Sequence, residues 1–197
     1  MLKNHGINAN VDERLGLLRS WMVIGPFEDE NYTGFARVFP PEKERNLSAS
    51  YPGKSGPVSW KKAISSASDG RIDLLQSIGN VEGAVGYAFC EFESPKICNG
   101  SLLAGADDNL AVWFNGERVI SQGSYHGHLR SDWYQTPVRI RSGVNSLLVK
   151  VCQAPPKPDK GPGSPNKWEF VVRITDEQGV GPTMIPRTQT TQPPKGR

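Results

Sequence analysis

The sequence predicts an all-β fold, an antiparallel jelly-roll β-sandwich of about nine or ten strands with long irregular loops. Three observations lead to this prediction. Apolar and polar residues alternate with a period of two along most of the 197 residues, the segments that alternate are short, and turn residues separate them. Helical periodicity is sparse. Because parallel strands need crossover connections that are usually helical, we expect antiparallel pairing.

The predicted strands follow in chain order. The first, Ser20–Gly25, stops at Gly25-Pro26, and Asn115-Gly116 is the strongest two-residue hairpin signal. The remaining strands lie between turn residues: Val58–Ile64, Arg71–Leu75, Ala84–Glu93, Ser101–Ala106, Leu110–Phe114, Glu117–Ser121, Thr136–Arg141, Ser146–Gln153 and Trp168–Thr175. Amphipathic helical spacing is limited to Val11–Leu18 and one turn near Leu74–Ile78.

The distribution of glycine and proline predicts the domain organisation. The chain has 21 Gly and 16 Pro, and many of them fall in a long excursion (28–57), a Lys-rich loop (154–165) and the C-terminal tail. We therefore predict an N-terminal extension over residues 1–18 that can form a short helix, one sandwich over 19–176, and a flexible linker over 177–197.

The charge balance and hydropathy exclude two classes of partner. There are 23 basic and 20 acidic side chains, a net charge of +3, which is too even for a nucleic-acid-binding face. No apolar run reaches the length of a membrane-spanning helix, and the first residues lack the apolar segment of a secretory signal. We expect neither nucleic-acid binding nor membrane insertion.

Six phrases in fixed order carry a resemblance to a known family. They are Trp21–Phe27, Pro40–Glu44, Tyr51–Trp60, Gly105–Asp108, Val112–Gly116 and Gly143–Val151. Together they resemble the galactose-binding-like jelly-roll modules of large bacterial secreted proteins of planctomycete type. Those modules are similar in turn to the sugar-binding domain of glycoside hydrolase family 2. The resemblance covers about residues 19–176 and departs from the usual pattern at Ala106, where Ser is expected, and at Cys90 and Cys98.

The resemblance implies a non-catalytic, carbohydrate-binding accessory module of a larger protein, extracellular or periplasmic. An alternative is a structural or protein-interaction module that packs on a neighbouring domain and has no glycan ligand. A third hypothesis, an enzyme fragment, needs two facing carboxylates such as Asp107 and Asp132. The sequence contains no nucleophile elbow, phosphate-binding glycine loop or HExxH motif, so we expect no activity from this chain alone.

The sharpest polar cluster is the predicted turn Asp107-Asp108-Asn109. Its oxygens can bond backbone N–H groups of the turn, as Asp and Asn commonly do. They can also bond sugar hydroxyls. Alternatively, Asp107 and Asp108 are ligands for Ca²⁺, a cation that takes six to eight hard oxygens; bound calcium would then raise the melting temperature.

Aromatic side chains supply the other candidate ligand contacts. Alternation places Leu110, Val112 and Phe114 in the core and Trp113 on the opposite face, where it can stack on a sugar or be covered by the 28–57 excursion. In the loop His126–Gln135, the residues Arg130, Asp132, Trp133 and Tyr134 have the composition of a sugar-binding edge. An aromatic plug closing the end of the sandwich is an equal alternative.

Several residues receive a structural interpretation. His126 and His128 are interpreted as loop histidines, because no further metal ligands occur at suitable spacing. Cys90 and Cys152 lie in apolar runs, and a Cys90–Cys98 disulfide is left open. The run around Lys150 and the pair Arg139 and Arg141 are predicted to be solvated faces of amphipathic strands.

Overall fold

The computed structural model describes residues 11–155 and 167–187, and it confirms the all-β, antiparallel fold class. Twelve strands lie in these residues: β1 (Ser20–Glu28), β2 (Ser50–Gly53), β3 (Gly56–Ser59), β4 (Lys61–Ile64), β5 (Ile72–Asp73), β6 (Ala84–Ser94), β7 (Cys98–Phe114), β8 (Glu117–His126), β9 (Tyr134–Ile140), β10 (Gly143–Gln153), β11 (Glu169–Asp176) and β12 (Ile185–Pro186). In this part of the chain, no helix has the length and hydrophobicity required to span a bilayer.

Strand β7 belongs to both sheets of the sandwich. Up to Asp107 it pairs with β9 and β11, and from Asp108 onward it pairs with β8 and β10. The first sheet therefore has the order β9-β7-β11-β5, and the second has the order β4-β1-β6-β10-β7-β8, with β12 also on β6. The predicted turn at Asp107-Asp108-Asn109 is wrong, because the chain passes from one sheet to the other here without reversing direction.

The main hydrophobic core lies between the two sheets. Leu110, Val112 and Phe114 of β7 point into it, as the alternation predicts. Trp21 of β1 meets Phe170 of β11 edge to face, with ring centroids 5.2 Å apart, and this contact joins the second sheet to the first. Other large side chains in this core are Leu74, Phe92, Leu102, Ile140, Leu147, Trp168 and Ile174.

Residues 29–60, which we call the covering layer, lie over the outer face of the second sheet. They contain a 3₁₀ turn (Glu30–Tyr32), a four-residue helix (Pro40–Lys43) and the β2–β3 hairpin. The layer and the sheet bury a second hydrophobic cluster: Phe39, Tyr51, Val58 and Trp60 from the layer, and Met22, Ile24, Phe27, Val85, Tyr87, Phe89, Leu148 and Cys152 from the sheet. The predicted strand Val58–Ile64 is divided at Trp60, because its first half pairs with β2 and its second half with β1.

Lys150 of β10 is buried between the second sheet and the covering layer, with 1% of its side chain exposed. Its ammonium donates hydrogen bonds to the carbonyl oxygens of Phe35 and Arg37, at 2.9 and 2.6 Å, and to Glu42 Oε1 at 2.9 Å. The same Glu42 oxygen accepts a hydrogen bond from the Tyr87 hydroxyl. The prediction of a solvated face around Lys150 is therefore wrong: all three ammonium hydrogens have acceptors in the covering layer.

Several element boundaries differ from the sequence prediction. Strand β1 continues past Gly25-Pro26 to Glu28 through an irregularity in its register. The predicted strand Arg71–Leu75 forms only Ile72–Asp73, because the Asp73 side chain accepts a hydrogen bond from the Gln76 N–H and caps a helical turn, Leu74–Ser77. The Asn115-Gly116 hairpin is confirmed, with Phe114 paired to Glu117 and both turn residues at positive φ.

Segments from both ends of the described chain pack on the sandwich. Residues 11–15 are helical, Leu17 forms a bridge with Arg173, and Ile185 pairs with Glu93 of β6. The predicted linker over 177–197 thus contributes a short strand, β12, before its remaining residues. Residues 188–197, and residues 156–165 of the predicted Lys-rich loop, lie outside the described residues.

We expect Lys150→Met to lower the free energy of unfolding by about 3 kcal/mol, because it leaves the Glu42 carboxylate and two carbonyl groups without their buried cation. Urea unfolding measures this change. The control, Lys62→Met on β4, removes an exposed ammonium and should change the free energy by less than about 0.5 kcal/mol. A Lys150 variant as stable as the wild type would contradict the role of this contact.

Candidate functional site

Asp108 and Asn109 accept hydrogen bonds from backbone N–H groups at the end of β10, at the point where β7 leaves the second sheet. The Asn109 Oδ1 atom accepts a hydrogen bond from the Cys152 N–H at 2.9 Å, and Asp108 Oδ2 accepts one from the Ala154 N–H at 2.7 Å. Both acceptors are buried, with 2% and 8% exposure. The side chains therefore satisfy backbone donors at the end of β10, a structural role for two predicted ligand-binding residues.

Asp107 lies on the other side of the crossing, opposite Glu169 of β11, and is 4% exposed. Burial is the main cause that raises the pKa of Asp107, to about 7, and the neighbouring Asp108 and Glu169 carboxylates raise it further. Arg71 contacts Glu169, with Nη1 3.2 Å from Oε1. The pair Asp107 and Asp108 therefore favours retention of a proton.

Calcium binding by Asp107 and Asp108 stays a prediction. Within residues 11–155 and 167–187, no group of three or more His, Cys, Asp or Glu side chains is arranged to hold a metal ion. The carboxylate of Asp108 already accepts a hydrogen bond from the Ala154 N–H. A direct test is whether added calcium raises the melting temperature and a chelator lowers it.

The loop between β8 and β9 is fastened to the outer face of the first sheet. Asp132 accepts two hydrogen bonds from the guanidinium of Arg173 on β11, at 2.8 and 2.7 Å. The carbonyl oxygen of Arg130 lies so close to Gly105 of β7 that a Cβ there would be 1.9 Å from it. The sequence predicts Asp132 as a ligand contact. In the structure its carboxylate binds Arg173 and holds the loop in position.

Trp133 is the centre of a group of planar side chains, which we call the ring cluster: His126, His128, Arg130, Trp133 and Tyr134. The Trp133 ring centroid is 5.2 Å from that of His126, 5.3 Å from His128 and 5.7 Å from Tyr134. The Arg130 guanidinium carbon lies 4.8 Å from the Trp133 ring. His128 and Arg130 are exposed, and the other three rings are half-buried. The predicted residues Arg130, Trp133 and Tyr134 therefore do come together.

The ring cluster is adjacent to the strand crossing but separate from Trp113. His126 at the end of β8 pairs with Asp108 in the second sheet, and Tyr134 at the start of β9 pairs with Ala104 in the first, so the cluster lies beside the crossing. Trp113 is half-buried and packs against the second hydrophobic cluster, on the face that the covering layer occupies. Of the two interpretations of Trp113 from the sequence, cover by the 28–57 excursion agrees with this position.

A groove between β8 and β9 is a feature that the sequence interpretation missed. It has a volume of about 500 Å³ and is lined by three arginines, Arg118, Arg139 and Arg141. The Arg-x-Arg spacing in the predicted strand Thr136–Arg141 places two of them on one face, but the sequence does not show that β8 brings the third to the same opening. The cysteines offer no further site: Cys90, Cys98 and Cys152 are free thiols, so the disulfide left open from the sequence is absent.

Comparisons with known proteins find limited similarity. No protein-family model matches the chain, and no curated protein matches it. Among solved structures, it is similar to a β-glucosidase from Kluyveromyces marxianus in complex with glucose, with a TM-score of 0.41 and 12% identity over 78% of this chain. It is also similar to a protein from Bacteroides fragilis assigned as a β-galactosidase, with a TM-score of 0.33 and 13% identity over 81%.

The matched regions are small parts of both larger structures. The chain covers 16% of the length of the β-glucosidase and 24% of the length of the Bacteroides protein. TM-scores this low do not establish a shared fold or a shared activity.

We expect Asp107→Asn to remove a pH dependence of stability. The unfolded carboxyl ionises near its ordinary pKa of 3.8, whereas the folded one keeps its proton to about pH 7. The folded state binds more protons between these values, so the free energy of unfolding of the wild type falls as pH rises through this window. Between pH 5 and pH 8, the free energy of unfolding of the wild type should therefore fall by at least about 1.4 kcal/mol more than that of the variant. This difference is the equivalent of one pKa unit.

Urea unfolding of both proteins at the two pH values measures this difference. A difference that is constant with pH would contradict a protonated acidic pair at the crossing.

Proposed function

We propose that this chain is a non-catalytic, carbohydrate-binding β-sandwich module and that the ring cluster is its binding site. The observation that carries the proposal is the half-buried Trp133 surrounded by two imidazoles, a guanidinium and a phenol. Aromatic rings pack against the apolar face of a sugar at low entropic cost. The N–H and O–H groups around the rings can bond the sugar hydroxyls.

The attachment of the loop supports this proposal, because ordered rings lose less entropy on binding than mobile ones. Asp132 holds the loop to Arg173, and Gly105 allows its backbone to lie flat on the first sheet. The rings of the cluster are therefore held in place before a ligand binds. Its position at the edge of the sandwich leaves the exposed sides of His128 and Arg130 open to a ligand.

The non-catalytic part of the proposal rests on how the carboxylates are used. Of the two carboxylates that the enzyme hypothesis names, Asp107 is buried at the strand crossing, and Asp132 forms an ion pair with Arg173. A glycosidase needs two carboxyl groups that act on the substrate, whereas one of these two is buried and the other is ion-paired within the protein. We propose that the module serves a larger extracellular or periplasmic protein as a targeting element, in keeping with the sequence resemblance.

A second candidate function, packing on a neighbouring domain, is favoured by a different surface. An apolar cavity of about 240 Å³ opens between the terminal segments and β6, lined by residues that include Leu17, Phe92, Met184 and Pro186. Exposed apolar side chains occur in the same terminal segments, namely Val11, Leu15, Val180 and Ile185. Such a surface can bind a protein partner. Failure of every glycan to bind, together with self-association or domain association lost in Leu15→Ser, would favour this candidate.

We expect Trp133→Ala to weaken binding to a responsive glycan by about tenfold or more, because it removes the central ring of the site. A glycan array identifies the ligand, and titration calorimetry measures its affinity. Trp133→Phe keeps a ring and should retain most of the binding. The control is Ile97→Ala, which removes an exposed apolar side chain beside the start of β7.

Equal affinities of the wild type and Trp133→Ala for every bound glycan would show that the ring cluster is not the site. Thermal unfolding of the variants checks that each is folded at the temperature of the titration.

A further inference from the structure

The groove between β8 and β9 lies at the open side of the sandwich. Strand β8 is the last strand of the second sheet, and β9 is the last strand of the first, so each has one edge without a partner strand among the described residues. The groove between them, which we call the arginine groove, has a volume of about 500 Å³. Its polar lining comprises Asn115, Glu117, Arg118, Thr136, Arg139 and Arg141.

The charges of the arginine groove are unbalanced. Three guanidinium groups and one carboxylate line it, and none of the three arginines forms an ion pair within residues 11–155 and 167–187. Four other arginines in that part of the chain are paired with carboxylates, namely Arg19, Arg71, Arg173 and Arg187, and Arg14, Arg37, Arg45 and Arg130 form no ion pair there. Like charges that face one groove repel each other, and an anion relieves that repulsion.

The residue type specifies the kind of anion. A guanidinium presents a planar fork of N–H donors that matches a carboxylate or a sulfate in two parallel hydrogen bonds. Arg139 lies on β9, which ends at Ile140, and Arg141 follows that end directly; both side chains line the groove. Arg118 approaches from β8. The groove can therefore hold more than one anionic group, as a polymer with regularly spaced charges would supply.

We propose that the arginine groove binds the carboxylate or sulfate groups of an acidic polysaccharide, an inference that rests on the proposed carbohydrate function for the sugar part of the ligand. Strands β8 and β9 both run from this groove to the ring cluster, since β8 ends at His126 and β9 begins at Tyr134. Arg139 lies five residues beyond Tyr134 on β9, about 17 Å at about 3.3 Å per residue. One extended chain of sugars can contact both.

Protection of a free sheet edge is a competing explanation for charges on β9. Charged side chains and a proline in an edge strand deter pairing with another sheet, and Pro137 lies in the middle of β9. That explanation requires charge of either sign, whereas anion binding requires positive charge. Reversal of the charge therefore separates the two explanations.

The test measures affinity for four polymers: polygalacturonate, a sulfated galactan, a neutral galactan and polyphosphate. Variant Arg139→Glu/Arg141→Glu should lose at least about tenfold in affinity for an acidic polysaccharide, as expected when charge-assisted hydrogen bonds are removed. Binding to the neutral galactan should be unchanged. The matched control, Lys61→Glu/Lys62→Glu, makes the same charge change at two exposed residues of β4, the opposite edge of the second sheet.

A second variant covers the case in which charge reversal disturbs folding. Arg139→Gln/Arg141→Gln keeps polar side chains of similar length, and thermal unfolding reports whether each variant is folded. The affinity of the wild type for the acidic polymer should also fall as the salt concentration rises, because the ion pairs are at the surface. Preference for polygalacturonate or for the sulfated galactan identifies which anion the groove takes.

The outcomes distinguish the two proposals. If none of these glycan polymers and no glycan on the array binds the wild type, both proposals fail. If the neutral galactan binds but acidic polymers bind no tighter, or if the groove variant and the β4 control lose affinity equally, the groove inference alone fails. If polyphosphate binds as tightly as the acidic polysaccharides, the groove binds any polyanion whether or not it contains sugar, and the inference is overturned. Arginine-dependent binding that Trp133→Ala leaves unchanged would support the groove and contradict the ring cluster.

Discussion

The buried ammonium of Lys150 is the interaction on which the layered structure depends. The second sheet has apolar side chains on both faces, and the outer face is shielded by a covering layer of little regular structure. A layer of this kind has few ladder hydrogen bonds to define its position. Lys150 supplies three directed bonds, two to backbone carbonyls and one to Glu42, and Glu42 also accepts the Tyr87 hydroxyl. A buried charge is costly unless it is paired, so this network favours one placement of the layer.

The passage of β7 between the sheets is the second constraint, and it places the candidate site. When a strand leaves a sheet, backbone N–H groups of the neighbouring strand lose their ladder partners. Here the side chains of Asp108 and Asn109 accept hydrogen bonds from two such groups. The same crossing sets the ends of β8 and β9 next to each other. The loop between those strands then folds back over Gly105 and is held by Asp132 and Arg173. The acidic residues thus support the site without forming it.

Both proposed binding features are formed by strands β8 and β9 and by the residues next to them in the chain, and they differ in chemistry. The ring cluster offers planar surfaces and hydrogen-bond donors for the apolar face and hydroxyls of a sugar, and its ring contacts are short range. The arginine groove offers unpaired positive charge, which acts over longer distances and is weakened by salt. A module with both features would recognise a polymer by shape at one end and by charge at the other.

Period-two alternation by itself determined the fold class, most of the strands, the inward face of β7 and the Asn115-Gly116 hairpin, because these depend on residues close in the chain. Arg130, Trp133 and Tyr134 were likewise picked out by the composition of the predicted loop His126–Gln135, although Tyr134 begins β9. Only the tertiary structure decided the burial of Lys150, whose acceptors lie 108 to 115 residues away. It also decided that Asp107 and Asp108 cross between sheets, and that Arg118 joins Arg139 and Arg141. A polar residue gives the same sequence pattern whether its side chain is exposed to water or is bonded to a partner far away in the chain.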